Sequence, residues 1–289
     1  MWVSLALFSG LFSGTAWVLS KCAGSIDPRA AIAVRSGSLL LCALAFVGIF
    51  RSYSEFIAID NTSLWFTIGA GGVSALGLVC YQSLIECGLG WSCAMEKLSI
   101  PIIACAEWIL FGNRLSLFSL AALGLIGVGA VHNFKEKTTV IDNLPPVRKF
   151  LLVAGMIVFT SSAIVLAKFA VRGSSAEVAL SIRTGAQLVV LMVWLLLRKG
   201  IGAVRSISGK SSLYLLASGA SSAIAWLCYF RALPMGNAGA IHALDKLNVL
   251  VTAFSGWVLF DERYSREMIR GIGITVAGIL LLAVSFGIP

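Results

Sequence analysis

Along this chain apolar runs of about twenty residues alternate with short polar breaks, regularly enough to define the elements. The runs fall at 2–21, 28–50, 63–85, 91–111, 115–133, 149–170, 177–198, 211–233, 237–260 and 267–287. Polar or turn-forming segments separate them, among them "GSIDPR", "RSYSEF", "FGNR" and "FDER". Each run is long enough to cross a hydrocarbon core about 30 Å thick as a helix. The pattern predicts an all-α membrane protein of ten transmembrane helices, with no soluble domain left over.

Composition agrees. Of 289 residues 58% are hydrophobic and only 12% charged, and the mean hydropathy is +0.94, well beyond the roughly 45–50% apolar content of soluble domains. The expected location is an integral, multi-pass position in a bacterial inner membrane. A formal charge of +9 would suggest nucleic acid in a soluble protein. Here most Lys and Arg stand in short loops beside helix ends, where lipid headgroups answer them, so no nucleic-acid partner is expected. The seven cysteines show no CxxC and no Cys/His ligand spacing, which predicts small core residues, no metal and no cofactor. The first run has no basic stretch ahead of it and reads as a structural helix rather than a signal peptide.

The second half rewrites the first, with an offset that drifts from 147 to 149. Lys21 matches Lys168, "AVRSG" with Arg35 matches "SIRTG" with Arg183, and "CYQSL" with Tyr81 matches "CYFRAL" with Tyr229. "MEKL" then lies over "LDKL", "WILFGNRLS" over "WVLFDERYS", and Gly124 and Gly129 over Gly273 and Gly278. This predicts a first five-helix repeat at 1–133, a loop at 134–148 and a second repeat at 149–289. Five crossings per repeat make the second enter from the opposite side, so the repeats are inverted about an axis in the membrane plane. Many secondary transporters have that symmetry.

Charges inside the predicted helices mark the candidate site. An ionised side chain near the bilayer centre costs about 2.5–3.5 kcal/mol even on a permissive scale. Glu96, Lys97, Asp245 and Lys246 lie well inside their runs, Arg35 and Arg183 about a third of the way in, and Lys21 and Lys168 nearer an end. They are expected to face a polar cavity or one another, near the pseudo-two-fold axis. Helical spacing puts His242, Asp245 and Lys246 on one face, as it does Cys93, Glu96 and Lys97. Adjacent residues point apart, so the spacing favours cross-repeat pairs, Glu96 with Lys246 or Lys97 with Asp245, over Asp245 with Lys246. For the outer four, snorkelling to the interface or helix packing stands beside a role in the cavity.

Weaker signals accompany these. Pro101 in mid-helix predicts a kink that frees the Lys97 carbonyl, whereas Leu250 at the matching place predicts an unbroken helix. Glu107 either lines a vestibule or pairs structurally, and Glu86 and Arg231 lie near enough to helix ends to be hydrated. Trp17, Tyr81, Trp226 and Tyr229 either wall a pocket or pack the core. His242 either couples a proton or is a satisfied core histidine. The glycine runs lack the strand–turn–helix setting of nucleotide loops and read as close helix packing.

The order of these motifs resembles the EamA group of the drug/metabolite transporter superfamily, over essentially the whole chain. The features that carry the resemblance are a lysine near the end of each repeat's first helix, an arginine in the second, the "YxxAL"-like end of the third and "FDERYS" closing the fourth. "EKLSI" and "DKLNV" further resemble a branch with an Asp-Lys-Leu-Ser type segment in the fourth helix. In the first repeat Gly112 and Asn113 replace Asp261 and Glu262, so the acidic closing motif stands only in the second.

The resemblance implies a central cavity, alternating access, and a small metabolite or amino acid as cargo, often moved outward. The site is expected between helices 1–4 and 6–9, with helices 5 and 10 peripheral or at a dimer contact, in a monomer or homodimer. Lys97 and Lys246 are expected to meet a carboxylate or phosphate, Glu96 and Asp245 an amine or a coupled proton, and Arg35 and Arg183 to tune the pocket. Lys21, Lys168, Pro101 and Glu107 are expected to gate or pack. Loop charges place both termini outside, while relatives usually have them in the cytoplasm. An enzyme would need a catalytic constellation at membrane depth, and the two histidines lack HxxxH or HExxH spacing. A purely structural protein would not need charges matched between repeats.

Overall fold

The computed structural model describes residues 1–24, 26–85, 89–112, 115–134, 145–197 and 201–286. The linker at 135–144, Glu86, Cys87 and Asn113 lie outside the described residues. Among the described residues all the regular structure is helical. The first repeat holds α1 (Trp2–Cys22), α2 (Pro28–Phe50), a short α3 (Tyr53–Ala58), α4 (Asn61–Ile85), α5 (Leu89–Glu96), α6 (Ser99–Phe111) and α7 (Leu117–Phe134). In the same order the second holds α8 (Pro146–Ala170), α9 (Ala176–Leu197), a short α10 (Ile201–Arg205), α11 (Gly209–Ala232), α12 (Ala238–Asp245), α13 (Asn248–Phe260) and α14 (Arg266–Ser285). Eight described helices or helix pairs are long and apolar enough to cross a membrane, and Leu117–His132 in α7 is a shorter apolar one. With α5 and α6 counted as one crossing, the chain is an integral membrane protein of ten transmembrane helices in two inverted five-helix repeats.

Polar residues set the helix starts. Asp27 accepts the Arg29 N–H at 2.9 Å, Asn237 that of Ala240 at 3.1 Å and Ser265 that of Met268 at 3.1 Å, each satisfying an orphan donor of a first turn. Hydrogen bonds from Arg29 hold the Asp27 carboxyl below the usual carboxylate range, so this cap stays charged. At the other end, α6 stops at Gly112 and α13 at Asp261, both left-handed, with φ of 70° and 50°. That conformation suits Gly, and Asp more than most residues. The mismatch between "FGNR" and "FDER" at this position therefore marks a shared helix stop.

The repeats interlock rather than pack as two bodies. α1 lies against α11 and α8 against α4, α2 and α9 pack on each other, and α7 packs on α14. Close approach at two equivalent glycines locks this arrangement. A Cβ on Gly71 in α4 would run into the carbonyl oxygen of Arg183, and one on Gly219 in α11 into that of Arg35. Gly71→Ala and Gly219→Ala are each expected to cost about 1–3 kcal/mol through overpacking, read as a lower unfolding midpoint in detergent. Gly72→Ala, where a Cβ meets nothing within 4 Å, serves as the silent control.

The fourth crossing breaks in both repeats, where the sequence predicts a kink only in the first. The breaks fall at Lys97–Leu98 and at Lys246–Leu247. At both breaks the bonding tightens to i→i−3 steps, as in Lys97 N–H to Ala94 at 3.2 Å and Leu247 N–H to Leu244 at 3.1 Å. Because the second break has no proline, a proline is not required for a break at this place. Pro101 sits in the first turn of α6, where its missing N–H costs little, and the Lys97 carbonyl accepts from Ile100 at 3.0 Å. A 3-10 interruption in mid-helix often marks a hinge. Here two occur at equivalent places.

Candidate functional site

α1, α2, α4, α5, α8, α9, α11 and α12 line a central cavity of about 100 Å³, well above the roughly 10–15 Å³ that a single water requires. Trp17, Arg35, Tyr81, Glu96, Arg183, Trp226, Tyr229, His242, Asp245 and Lys246 all reach its wall. Lys97 does not. It lies behind the wall, fully buried, and donates to Asn248 Oδ1 at 2.7 Å.

The breaks explain how the charges meet. Each leaves a carboxylate on the last residue of a half-helix and a lysine on the next. Lys246 donates to Glu96 Oε1 at 2.7 Å, joining the repeats. The symmetric alternative does not form here: Asp245 accepts from Ser9 Oγ at 2.6 Å and faces Lys246, while Lys97 donates to Asn248. Neighbours also approach more closely than regular helical spacing predicts, Lys246 to Asp245 at 3.6 Å and Lys97 to Glu96 at 4.0 Å. The chain turns tightly between them, which brings the side chains of each pair near one another although only Glu96, Asp245 and Lys246 reach the cavity. α1 permits the junction to sit close, because a Cβ on Gly10 would come within 2.7 Å of the Asp245 carbonyl oxygen.

Equivalent residues make equivalent bonds around this centre. Tyr81 hydroxyl lies 2.8 Å from Cys93 Sγ in one repeat, and Tyr229 hydroxyl 3.4 Å from His242 Nδ1 in the other. His242 Nε2 is 3.0 Å from Ser99 Oγ, so both ring nitrogens have partners. The arginines cross over between repeats. Arg35 donates to Ser222 at 2.8 Å and stacks 3.8 Å from the Trp17 ring centroid, while Arg183 donates to Ser74 at 2.6 Å and stacks 3.9 Å from that of Trp226. Neither arginine snorkels to an interface.

The outer lysines also join the repeats. Lys21 pairs with Glu262, and Lys168 with the buried Glu107 at 2.7 Å. Alternating crossings put the ends of α1 and α13 on one side and those of α8 and α6 on the other, so the two pairs sit at opposite faces. Their acids come from different places. Glu107 stands on α6, but its equivalent is Gly256, and Glu262 folds back into the space this glycine leaves open. Tyr264 holds it there, donating to Glu262 Oε2 at 2.7 Å. Beside the Lys168 pair, Arg231 donates Nε to the buried Glu177 at 2.8 Å, rather than being merely hydrated.

The residues that the chain pattern did not single out are Ser9, Ser74, Ser222, Gln187 and Asn248. Their signal was available in the repeat register, where Ser74 lies over Ser222 at the same offset as the arginines, and Ser99 over Asn248.

Comparison with known proteins agrees with this fold. The model of the EamA-like transporter family matches residues 148–284. An uncharacterized transporter in cobO 3'region from Sinorhizobium sp is 32% identical over 126 residues, which cover 44% of this chain and 89% of that protein. A protein of known crystal structure superposes with a TM-score of 0.76 over 99% of this chain and 97% of its own, at 16% identity, a likeness of fold alone. Ten crossings around a charged central cavity, with these relatives, define a multi-pass membrane transporter. The chain belongs to the EamA-like transporter family.

Proposed function

We propose that this transporter is a secondary one, moving a small anionic or zwitterionic organic solute, an amino acid or organic anion, by alternating access through the central cavity. The observation that carries the reading is the cross-repeat pair of Lys246 and Glu96, made from two equivalent broken helices while its mirror image, Lys97 with Asp245, stands unmade. Inverted repeats can exchange conformations, which opens the two faces in turn. After such an exchange Lys97 would take Asp245, and Lys246 would withdraw behind the wall. Lys97 and Lys246 thus serve as exchange partners rather than as fixed carboxylate contacts. Lys21–Glu262 and Lys168–Glu107 serve as latches, one at each face.

The cavity wall carries Arg35, Arg183 and Lys246 against Glu96 and Asp245, an excess of positive charge that favours an anionic group on the solute. The aromatic rings of Trp17, Tyr81, Trp226 and Tyr229 supply apolar walls. His242 and Asp245 are the groups placed to carry a coupled proton. The repeats themselves we assign to 1–133 and 149–289, joined by 134–148; a family match that starts at residue 148 supports that division.

A thermal-shift screen of the purified protein tests the reading, with amino acids, organic acids, sugar phosphates, nucleotides and amines as probes. A ligand at one hundred times its Kd adds about 2.7 kcal/mol to apparent stability. An acid or zwitterion that raises the midpoint and exchanges in proteoliposomes is the expected result. No binding and no flux for any class would overturn the reading, and flux independent of a pH gradient would remove the proton from it.

A further inference from the structure

The two cavity arginines are equivalent in sequence but unequal in bonding. Arg35 gives both Nε and Nη2 to Ser222 Oγ, at 3.2 and 2.8 Å. Arg183 gives only Nη2, to Ser74 Oγ at 2.6 Å. Its Nε and Nη1 are buried and have no hydrogen-bond partner among the described residues. Buried polar groups are nearly always bonded, and a cationic donor is a costly one to leave open.

The surroundings fix how this guanidinium is presented. Trp226 covers one face of the group, and a guanidinium donates only in its own plane. Ser74 donates its own hydrogen to Gln187 Oε1 at 3.1 Å, and Gln187 Nε2 donates to Ser36 at 3.2 Å. Ser74 is therefore held as an acceptor towards Arg183 and takes one Nη2 hydrogen. One in-plane edge keeps a free hydrogen on each of its two nitrogens. That is the geometry a planar carboxylate accepts with two parallel bonds. Among the described residues no carboxylate pairs with Arg183. Glu96 lies within electrostatic reach of Arg35, whereas the group within reach of Arg183 is the Tyr229 phenol. At 1% exposure Arg183 is also cut off from bulk water, a setting in which such a bond is stronger than in water.

We infer that Arg183 is the anion anchor of the solute site and that it selects a carboxylate, which completes its open in-plane edge. Arg35 also keeps an open Nη edge, but it gives two nitrogens to Ser222 and has the Glu96 carboxylate within electrostatic reach, so it supports the opposite wall, while the buried nitrogens without partners belong to Arg183. The inference rests on the transport reading. Access to the open edge comes with the widening of the cavity during the cycle.

Paired probes test it: L-alanine, L-phenylalanine and succinate beside L-alaninamide, L-phenylalaninamide and succinamide, with inorganic phosphate as a further anion. Affinity is measured by thermal shift on the wild type, Arg183→Gln, Arg183→Lys and Arg35→Gln. At least one acid is expected to stabilise the wild type while its amide does not, a comparison that needs no variant to fold. Arg183→Gln should lose at least about tenfold in affinity for that acid, the effect of about 1.4 kcal/mol. Arg183→Lys, a point charge without the fork, should lose most of it, and Arg35→Gln should bind more weakly yet keep the preference for acid over amide. Equal binding of acid and amide would overturn the inference, as would a preference that survives Arg183→Gln. So would Arg183-dependent binding of phosphate without response to any acid. In those cases the transport reading stands; it falls only if no solute of any class binds or moves.

Discussion

Lys246→Ala is expected to destabilise the protein by about 3–5 kcal/mol and to abolish transport. The stability loss follows from what remains: Glu96 and Asp245, both buried, would lose the ammonium that lies 2.7 and 3.6 Å from them, and breaking a buried pair by removing one partner has that cost. Glu96→Gln should do similar harm from the other side. Lys246→Met combined with Glu96→Leu separates the two effects. Replacing a buried pair by apolar side chains is often neutral or stabilising by about 1–4 kcal/mol, so this double variant should recover most of the lost stability. Transport should stay lost, because the cross-repeat charge is gone. Recovery of transport with stability would reduce the pair to a packing device.

Asp245→Asn is expected to cost less stability than Lys246→Ala, since it loses the 3.6 Å contact with Lys246 but leaves the Lys246–Glu96 pair, while lowering transport on the order of tenfold or more, the effect of at least about 1.4 kcal/mol on the limiting step. In this conformation Asp245 accepts from Ser9 at 2.6 Å, and an asparagine oxygen accepts there equally well. The Lys246–Glu96 pair also remains. What the amide cannot supply is the charged partner that Lys97 needs after the exchange. The check is the unfolding midpoint measured beside proteoliposome flux; near-normal flux would show that Lys97 never moves to Asp245.

Helix number and pairing were legible in the sequence because both rest on patterns that composition cannot disguise. Lipid demands about twenty apolar residues per crossing, and "AVRSG" over "SIRTG" fixed the register of the repeat. Glu96 with Lys246 followed from that register and from helix geometry. The second break did not, because the visible cue marked only the first. Pro101 suggested one kink with a local cause, whereas the second break lies between Lys246 and Leu247 with no breaker nearby. Tertiary packing around Gly10 and the buried lysines accompanies it, and such contacts join residues more than two hundred positions apart. The serines were missed for another reason. Ser74 and Ser222 are ordinary in membrane helices, and only their shared offset with Arg183 and Arg35 singles them out. Glu262 shows the limit of register itself, since it fills a place that its partner repeat fills from Glu107, at a different position in the helix.

The most direct test of alternating access is the side from which the cavity is reached. Ala225, on the cavity wall and buried, is replaced by cysteine in a chain whose seven native cysteines are removed. Its labelling by a membrane-impermeant thiol reagent is measured in right-side-out and in inside-out vesicles. Exchange between the repeats predicts labelling from both sides, and labelling from one side alone once Asp245→Asn is added. Labelling from a single side in the absence of that change, with transport intact, would contradict alternating access through this cavity.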